Sequence, residues 1–244
     1  MKIAAFTIAR NEDVFLPVWF KYYKKHIPEK DIFIYDNDSI NPVPENIATK
    51  IHSEYTFDHR WLRQTAFKIM SYLLMFYDYV LCTDADEILI ADPRKYKNIT
   101  DYVQKNPNEI MYSTGYEIVG NKKDTPINFS ENLFNQRKEW VKLKNFYKPV
   151  LSSVPIRKMY SDYNCSSNGD PDLYLVHLNR IDYKTSLDKY KASKKYKWNP
   201  SDLNKTDGWQ HRIKTDSAFD DYYTKIKNAT GKVQPIPEWI KGTI

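Results

Sequence analysis

Asp84-Ala85-Asp86-Glu87 is the segment of this chain best equipped for chemistry. It follows an apolar run, Tyr79-Val80-Leu81-Cys82, that reads as a buried strand, and it precedes a second run, Ile88-Leu89-Ile90. In extended backbone, side chains two residues apart point the same way. The carboxylates of Asp84 and Asp86 therefore sit close together and repel one another unless a cation stands between them. A hard divalent ion with oxygen ligands meets that need and keeps open positions for substrate phosphates. The segment points to a site for a metal ion and a diphosphate. An acidic turn after a strand has the same sequence, so the surrounding elements must decide.

Those elements read as alternating strands and helices. Lys2 to Ala9 is apolar and nearly continuous, as in a parallel strand buried on both faces. Arg10-Asn11-Glu12-Asp13 breaks it, and Asn11 or Asp13 can cap a helix with Pro17 in its first turn. Phe15, Leu16, Trp19, Phe20 and Tyr23 then recur at helical spacing. Asp31 to Tyr35 is a second strand ending in Asp36-Asn37-Asp38-Ser39. Leu62, Ala66, Phe67, Met70, Leu73 and Leu74 mark an amphipathic helix between Trp61 and Tyr77, and the strand Tyr79 to Thr83 follows. Three polar strand ends, at Arg10, Asp36 and Asp84, then fall on one edge of an α/β sheet. Ligands bind at the carboxyl ends of strands in such sheets. Further on, Asn98 to Gln104 reads as a short helix and Glu109 to Val119 as a strand. Gly120 to Lys144 reads as a long loop over the site, and Lys148 to Leu151 as extended. Ser161 to Asp172 reads as a second polar loop, Leu173 to Leu178 as a strand with His177, Tyr183 to Tyr190 as a helix with a lysine-rich outer face, and the tail as an irregular cover.

Composition removes several classes. The 244 residues suit one large α/β domain, and no stretch approaches the ~20 apolar residues of a membrane span. The apolar run after Met1 is too short for a secretory signal, so a cytoplasmic chain is expected. Two cysteines, Cys82 and Cys165, give no disulfide framework, and no Cys/His spacing suits zinc. With only six glycines, there is no Walker loop or G-x-G-x-x-G to cradle phosphate. The formal charge of +6, from 37 basic and 31 acidic residues, suits a phosphate-bearing substrate, an anionic membrane or a solvated lysine surface.

Thr7-Ile8-Ala9-Arg10-Asn11-Glu12, Phe15-Leu16-Pro17 with Trp19, Ile34-Tyr35-Asp36-Asn37-Asp38-Ser39 and Asp84-Ala85-Asp86-Glu87-Ile88 together resemble the family 2-like glycosyltransferases of the GT-A fold. Asp170-Pro171-Asp172-Leu173 through His177-Leu178, then Arg180-Ile181-Asp182-Tyr183, is similar to a C-terminal motif of that group. The resemblance covers 1–92 well and 146–190 moderately. It implies one GT-A domain over 1–244, with a mixed, mostly parallel sheet flanked by helices. The nucleotide-binding half is 1–92, the acceptor and catalytic half 93–190, and a helical or irregular tail covers 191–244.

It also implies a transfer from a nucleotide-sugar, a UDP-sugar favoured, to a glycan, lipid-linked or glycoprotein acceptor, with Mn²⁺ or Mg²⁺. A metal bridging the leaving diphosphate would stabilise the charge it gains. On this likeness Asp86 ligates the metal, Asp84 contacts it through water or holds the ribose, and His177 is the third ligand, so metal binding weakens in acid. Thr7, Ala9, Arg10, Asn11, Glu12 and Ala85 line the donor pocket, Asp36 and Asp38 receive uracil or ribose, and Arg60 and Gln64 (with Arg63 and Lys148) contact the donor. An inverting transfer needs a carboxylate base, for which Asp170 and Asp172 are the candidates and Asp162 a lesser one. Trp140, Trp198 or Trp209 would stack on acceptor sugars; the lysines of 184–197 read, from charge pattern, as a solvated helix face or as a contact with an anionic membrane.

The competing readings are weaker. A haloacid-type phosphatase wants D-x-D-x-T after the first strand, but here Ile88 holds the last position and the motif follows the third. Small nucleotidyltransferases want a Gly-Ser ahead of the pair, which is missing. A nucleic-acid binder would concentrate its basic excess in a known module, and none is present, so no nucleic acid is expected. A degenerate transferase that binds donor without turnover has the same sequence.

Overall fold

The computed structural model describes residues 1–44, 46–143, 147–157, 169–203, 212–213, 215–229 and 233–244. Four short strands form its parallel half: β1 (Ile3–Ala9), β2 (Ile32–Asn37), β3 (Ala48–Ile51) and β4 (Tyr79–Cys82), in the order β4-β1-β2-β3. β1 is paired in parallel on both sides, with Ala9 opposite Asp36 and Phe6 opposite Cys82. Its alternate residues therefore meet two different layers. Ile3, Ala5 and Ala9 belong to the core cluster of Phe15, Trp19 and Tyr23 from α1 (Phe15–Tyr23). Ala4 and Phe6 belong to that of Ala66, Met70 and Leu73 from α2 (His59–Leu73). A strand with helices on both faces must be apolar throughout, which is why its sequence shows no alternation.

Beyond β4 the sheet turns antiparallel. β8 (Pro149–Ser152) pairs with β4, β6 (Ile110–Ile118) with β8, β7 (Glu139–Lys142) with β6, and β10 (Val233–Pro235) with β7. β9 (Asp170–His177) runs parallel to β6, and β5 (Glu87–Ala91) antiparallel to β9. The sheet is thus mixed and helix-flanked, with ten strands among the described residues. Gly169 enters β9 where the β6 register shifts between Ser113 and Thr114, and a Cβ there would meet the Ser113 carbonyl at 2.4 Å. That approach admits only glycine. α3 (Ile99–Lys105) is capped by Asn98, whose side chain accepts from the Asp101 N–H.

Three expectations need correction. The cap of α1 is Val14, with no side-chain hydrogen bond, so neither Asn11 nor Asp13 caps it. Gly120 to Lys144 is not one loop: its described part buries Leu133, Phe134, Trp140 and Val141 and contains β7. Asp170, Pro171 and Asp172 lie in β9 rather than in a loop, while residues 158–168, with Asp162 and Cys165, fall outside the described residues. The tail holds α5 (Pro200–Leu203), α6 (Asp216–Ala229) and β10. Among the described residues no helix is long and apolar enough to cross a membrane.

One hydrogen bond ties α1 to the strand end that carries the acidic segment. The Trp19 indole N–H donates to Thr83 Oγ1 at 2.8 Å, both side chains being buried. Thr83→Val keeps the shape and strands the donor. It should cost about 1–3 kcal/mol, the desolvation penalty of a buried unpaired N–H, read as a lower urea midpoint.

Candidate functional site

The first two strand ends are stitched together by turn chemistry. Asn11 and Asp38 have φ of 54° and 52°, the left-handed region that Asn and Asp tolerate best. Asn11 N–H donates to Ser39 Oγ at 2.9 Å, and its Oδ1 accepts from the Ile40 N–H at 2.7 Å. Asp36 is buried, and its two oxygens accept from the N–H groups of Ser39 and Val43. Asp38 pairs with His52. Asp36 and Asp38 thus shape the edge, and Asp36 has both carboxylate oxygens committed to backbone.

Next to them, several buried polar atoms have no hydrogen-bond partner among the described residues: Thr7 Oγ1, Asn37 Oδ1 and the Nε and Nη1 of Arg10. Native proteins leave few such groups. A cavity of about 80 Å³ opens beside Asn37, walled by Ser53, Phe57 and Trp61 at the start of α2. Arg60 and Gln64 stand exposed on α2, and the structure does not bring them to the charged residues of the edge.

The third strand end is a network of ion pairs. Asp86 is buried, and its Oδ2 lies 2.8 Å from Lys189 Nζ, which also lies 2.8 Å from Glu12 Oε1. Asp84 turns to a different lysine, its Oδ2 3.4 Å from Lys148 Nζ. Lys148 in turn bonds Glu87 Oε1 at 2.5 Å. Residues Glu87 and His177 are opposed across β5 and β9, which is how the His177 strand meets the acidic segment. His177 Nε2 is 3.6 Å from Asp86 Oδ2, and its Nδ1 is 3.0 Å from Glu117 Oε1. Glu117 Oε2 accepts from Arg180 Nη1 at 2.7 Å.

The pKa directions follow from this packing. Burial would raise the Asp86 pKa, but Lys189 and then His177 hold it well below the usual carboxylate range. Burial raises Glu12, with Lys189 pulling it back. Burial alone would lower His177, yet Glu117 and Asp86 outweigh it and push it up to about 10. Those two carboxylates favour the protonated ring, whereas metal ligation needs the neutral form. Among the described residues no three His, Cys, Asp or Glu side chains group as metal ligands do. As arranged, with Asp84 and Asp86 each claimed by its own lysine, these residues do not fit a divalent ion.

No family model matches the chain, and no curated protein matches it. Solved structures are similar only at a low level. S. aureus TarS 1-349 is 10% identical over 82% of this chain and 68% of that one, with a TM-score of 0.38. Its complex with UDP-GlcNAc is 12% identical over 62% and 44%, at 0.36. A glycosyltransferase involved in the glycosylation of the major capsid of PBCV-1 is 14% identical over 52% and 56%, at 0.30. Likeness of this size carries no argument about activity, and function must be read from the chain's own residues.

The structure therefore brings together Thr7, Ala9, Arg10, Asn11, Glu12, Asp36, Asp84, Ala85, Asp86 and His177 at one edge. It does not bring Asp170 and Asp172. Asp170 accepts from the Tyr102 hydroxyl at 2.6 Å, and Asp172 pairs with Lys95 at 2.7 Å. Asp172 is five residues before His177 on an extended strand, so about 16 Å away at ~3.3 Å per residue. Neither is placed to serve as base at the acidic segment. Trp140 is buried and stacked on Tyr116, so it cannot meet a sugar, while Trp209 lies outside the described residues. The lysine face is largely paired: Lys184 with Asp188, Lys191 and Lys194 with Asp216, and Lys197 with Glu54. Sequence reasoning missed Glu117 and took Lys189 for a solvated lysine.

Proposed function

We propose that this chain is a glycosyltransferase that moves a sugar from a nucleotide-sugar, UDP-linked by preference, to a hydroxyl of a glycan, free or carried on lipid or protein. The observation behind this reading is Arg10. Arg10 follows β1, two residues before Glu12, and its Nε and Nη1 are buried and unpartnered among the described residues. A half-buried guanidinium with two nitrogens unpartnered among the described residues suits an anion such as a phosphate. Tyr196 senses the same surroundings: burial raises its pKa, while Lys189 and Arg10 lower it. On this reading the nucleoside end of such a ligand lies toward Asn37 and Trp61, where a cavity opens.

Transfer breaks the bond between the sugar and the diphosphate, and the departing oxygens gain charge. Arg10 is the cation offered to that charge, while Lys148 and Lys189 offset the carboxylates around it. Inversion at the anomeric carbon draws its base from the carboxylates already there, Glu12, Asp84 or Asp86.

Calorimetric titration tests the reading. UDP should bind, UMP should bind about tenfold or more weakly for want of the second phosphate, and a UDP-sugar should be consumed with release of UDP in the presence of an acceptor. Folded protein that binds neither UDP- nor GDP-linked donors would sink the proposal. Binding without turnover would leave a degenerate transferase.

A further inference from the structure

We infer that Lys189 is a built-in counter-cation for Asp86 and Glu12, standing where a divalent ion is expected, and that this site takes a nucleoside diphosphate without added metal. The diphosphate part rests on the function proposed above. The counter-cation part rests on geometry alone.

Lys189 Nζ lies 2.8 Å from Asp86 Oδ2, 2.8 Å from Glu12 Oε1 and 3.0 Å from Glu12 Oε2. Two of the three ammonium donors bond carboxylate oxygens, Asp86 Oδ2 and Glu12 Oε2, and Glu12 Oε1 lies at ion-pair distance. A divalent ion bound directly would need those same oxygens at ~2.0–2.2 Å, in the space the ammonium fills. It would also meet that ammonium's charge at close range.

Lys189 is not a loose surface lysine that happens to fold inward. It sits on α4 (Tyr183–Ser193), where Ser186, Tyr190 and Ser193 are buried. Residues three and four apart share a helix face, so Lys189 falls within that inward stripe. The helix is fixed at its start by Asp182, which accepts from the Thr185 N–H at 2.8 Å. Further along, the Tyr190 ring stacks on Phe219 of α6, and its hydroxyl donates to the Ile213 carbonyl. The Lys189 ammonium also rests 5.0 Å from the Phe15 ring centroid, on α1. Three helices thus set the position of one charge.

Lys148 serves the other half of the acidic segment in the same way, on Glu87 and Asp84. The two carboxylates that motif logic would join through one ion are divided between two lysines. A diphosphate entering this edge would meet fixed ammonium groups already compensated by protein carboxylates.

Two measurements on the full chain test this. The first is Mn²⁺ binding by water-proton relaxation, with no nucleotide present. Wild type should show no site, and Lys189→Met should gain one, because two carboxylates lose their cation. A wild-type Mn²⁺ site that disappears in Asp86→Asn would overturn the inference. The second is UDP affinity in EDTA and in Mn²⁺. Wild type should change by less than about twofold, while Lys189→Met should weaken about tenfold in EDTA and recover in Mn²⁺, and Lys189→Arg should behave as wild type. UDP binding by wild type that requires Mn²⁺ would also overturn it. If wild type binds UDP under neither condition, the proposed function fails, and the nucleotide-free Mn²⁺ titration still decides the role of Lys189. If Lys189→Met does not fold, the wild-type titrations decide it.

Discussion

Replacing Glu117 by alanine is expected to cost the fold about 3–5 kcal/mol, the penalty for removing one member of a buried ion pair. Glu117 is fully buried on β6, with Arg180 at 2.7 Å and His177 at 3.0 Å on its two oxygens. Truncation leaves the buried Arg180 guanidinium without its anion and His177 with Asp86 alone. Glu117→Gln keeps the volume and should cost less. Acid separates charge from packing. Burial would raise the Glu117 pKa, but Arg180 and then His177 bring it below its ordinary 4.5. A carboxylate with a depressed folded pKa contributes stability that is complete above its unfolded value and lost as pH falls through the folded one. The gap between wild type and Glu117→Gln in urea midpoint should therefore narrow in acid. A loss below about 1 kcal/mol for Glu117→Ala at neutral pH, within the range of ordinary surface changes, would show that these charges are solvated.

That network was invisible in the sequence for a physical reason. Glu117 is a single acid in an apolar strand, and its partner Arg180 is 63 residues away. Periodicity reports which face is buried, not which distant charge will meet it. Lys189 left a faint trace that apolar spacing does not catch: the small residues Ser186 and Ser193 flank it at helical intervals and are buried with Tyr190. Counting only Tyr183, Leu187 and Tyr190 turned the lysine outward. β7 escaped because Trp140 and Val141 are buried side by side between exposed Glu139 and Lys142, with no alternation to read.

What was legible was the edge and three strands of the parallel half, while β3 (Ala48–Ile51) was not read. A strand covered on both faces must be uniformly apolar, and Ile3 to Ala9, Ile32 to Asn37 and Tyr79 to Cys82 were each found within about two residues. The polar break after each strand placed Arg10, Asp36 and Asp84 together. The same reasoning misled at Asp170 and Asp172. Polar composition and Pro171 imitate a loop, yet Thr114 Oγ1 donates to the Asp170 carbonyl and the Asp92 N–H to the Asp172 carbonyl, which binds the segment into the sheet.

Arg10→Met should move ligand affinity and stability in opposite directions. The methionine keeps most of the apolar stem's packing and removes a guanidinium whose Nε and Nη1 are buried without partners among the described residues. Unpaired buried donors cost free energy in the unliganded protein. The variant should therefore unfold at equal or higher urea concentration, by about 1 kcal/mol at most given that Arg10 is only half-buried. In the liganded protein the same guanidinium would face phosphate, and losing one side of such a charge pair costs ~2–5 kcal/mol, at least about 30-fold in UDP affinity. A side chain retained for folding would lose stability on truncation and leave UDP binding nearly unchanged. One retained for an anion does the reverse, because its cost is borne by the free protein and recovered only when the ligand arrives. A variant that is less stable and still binds UDP as wild type does would remove Arg10 from the donor site, and with it the observation on which the transferase reading stands.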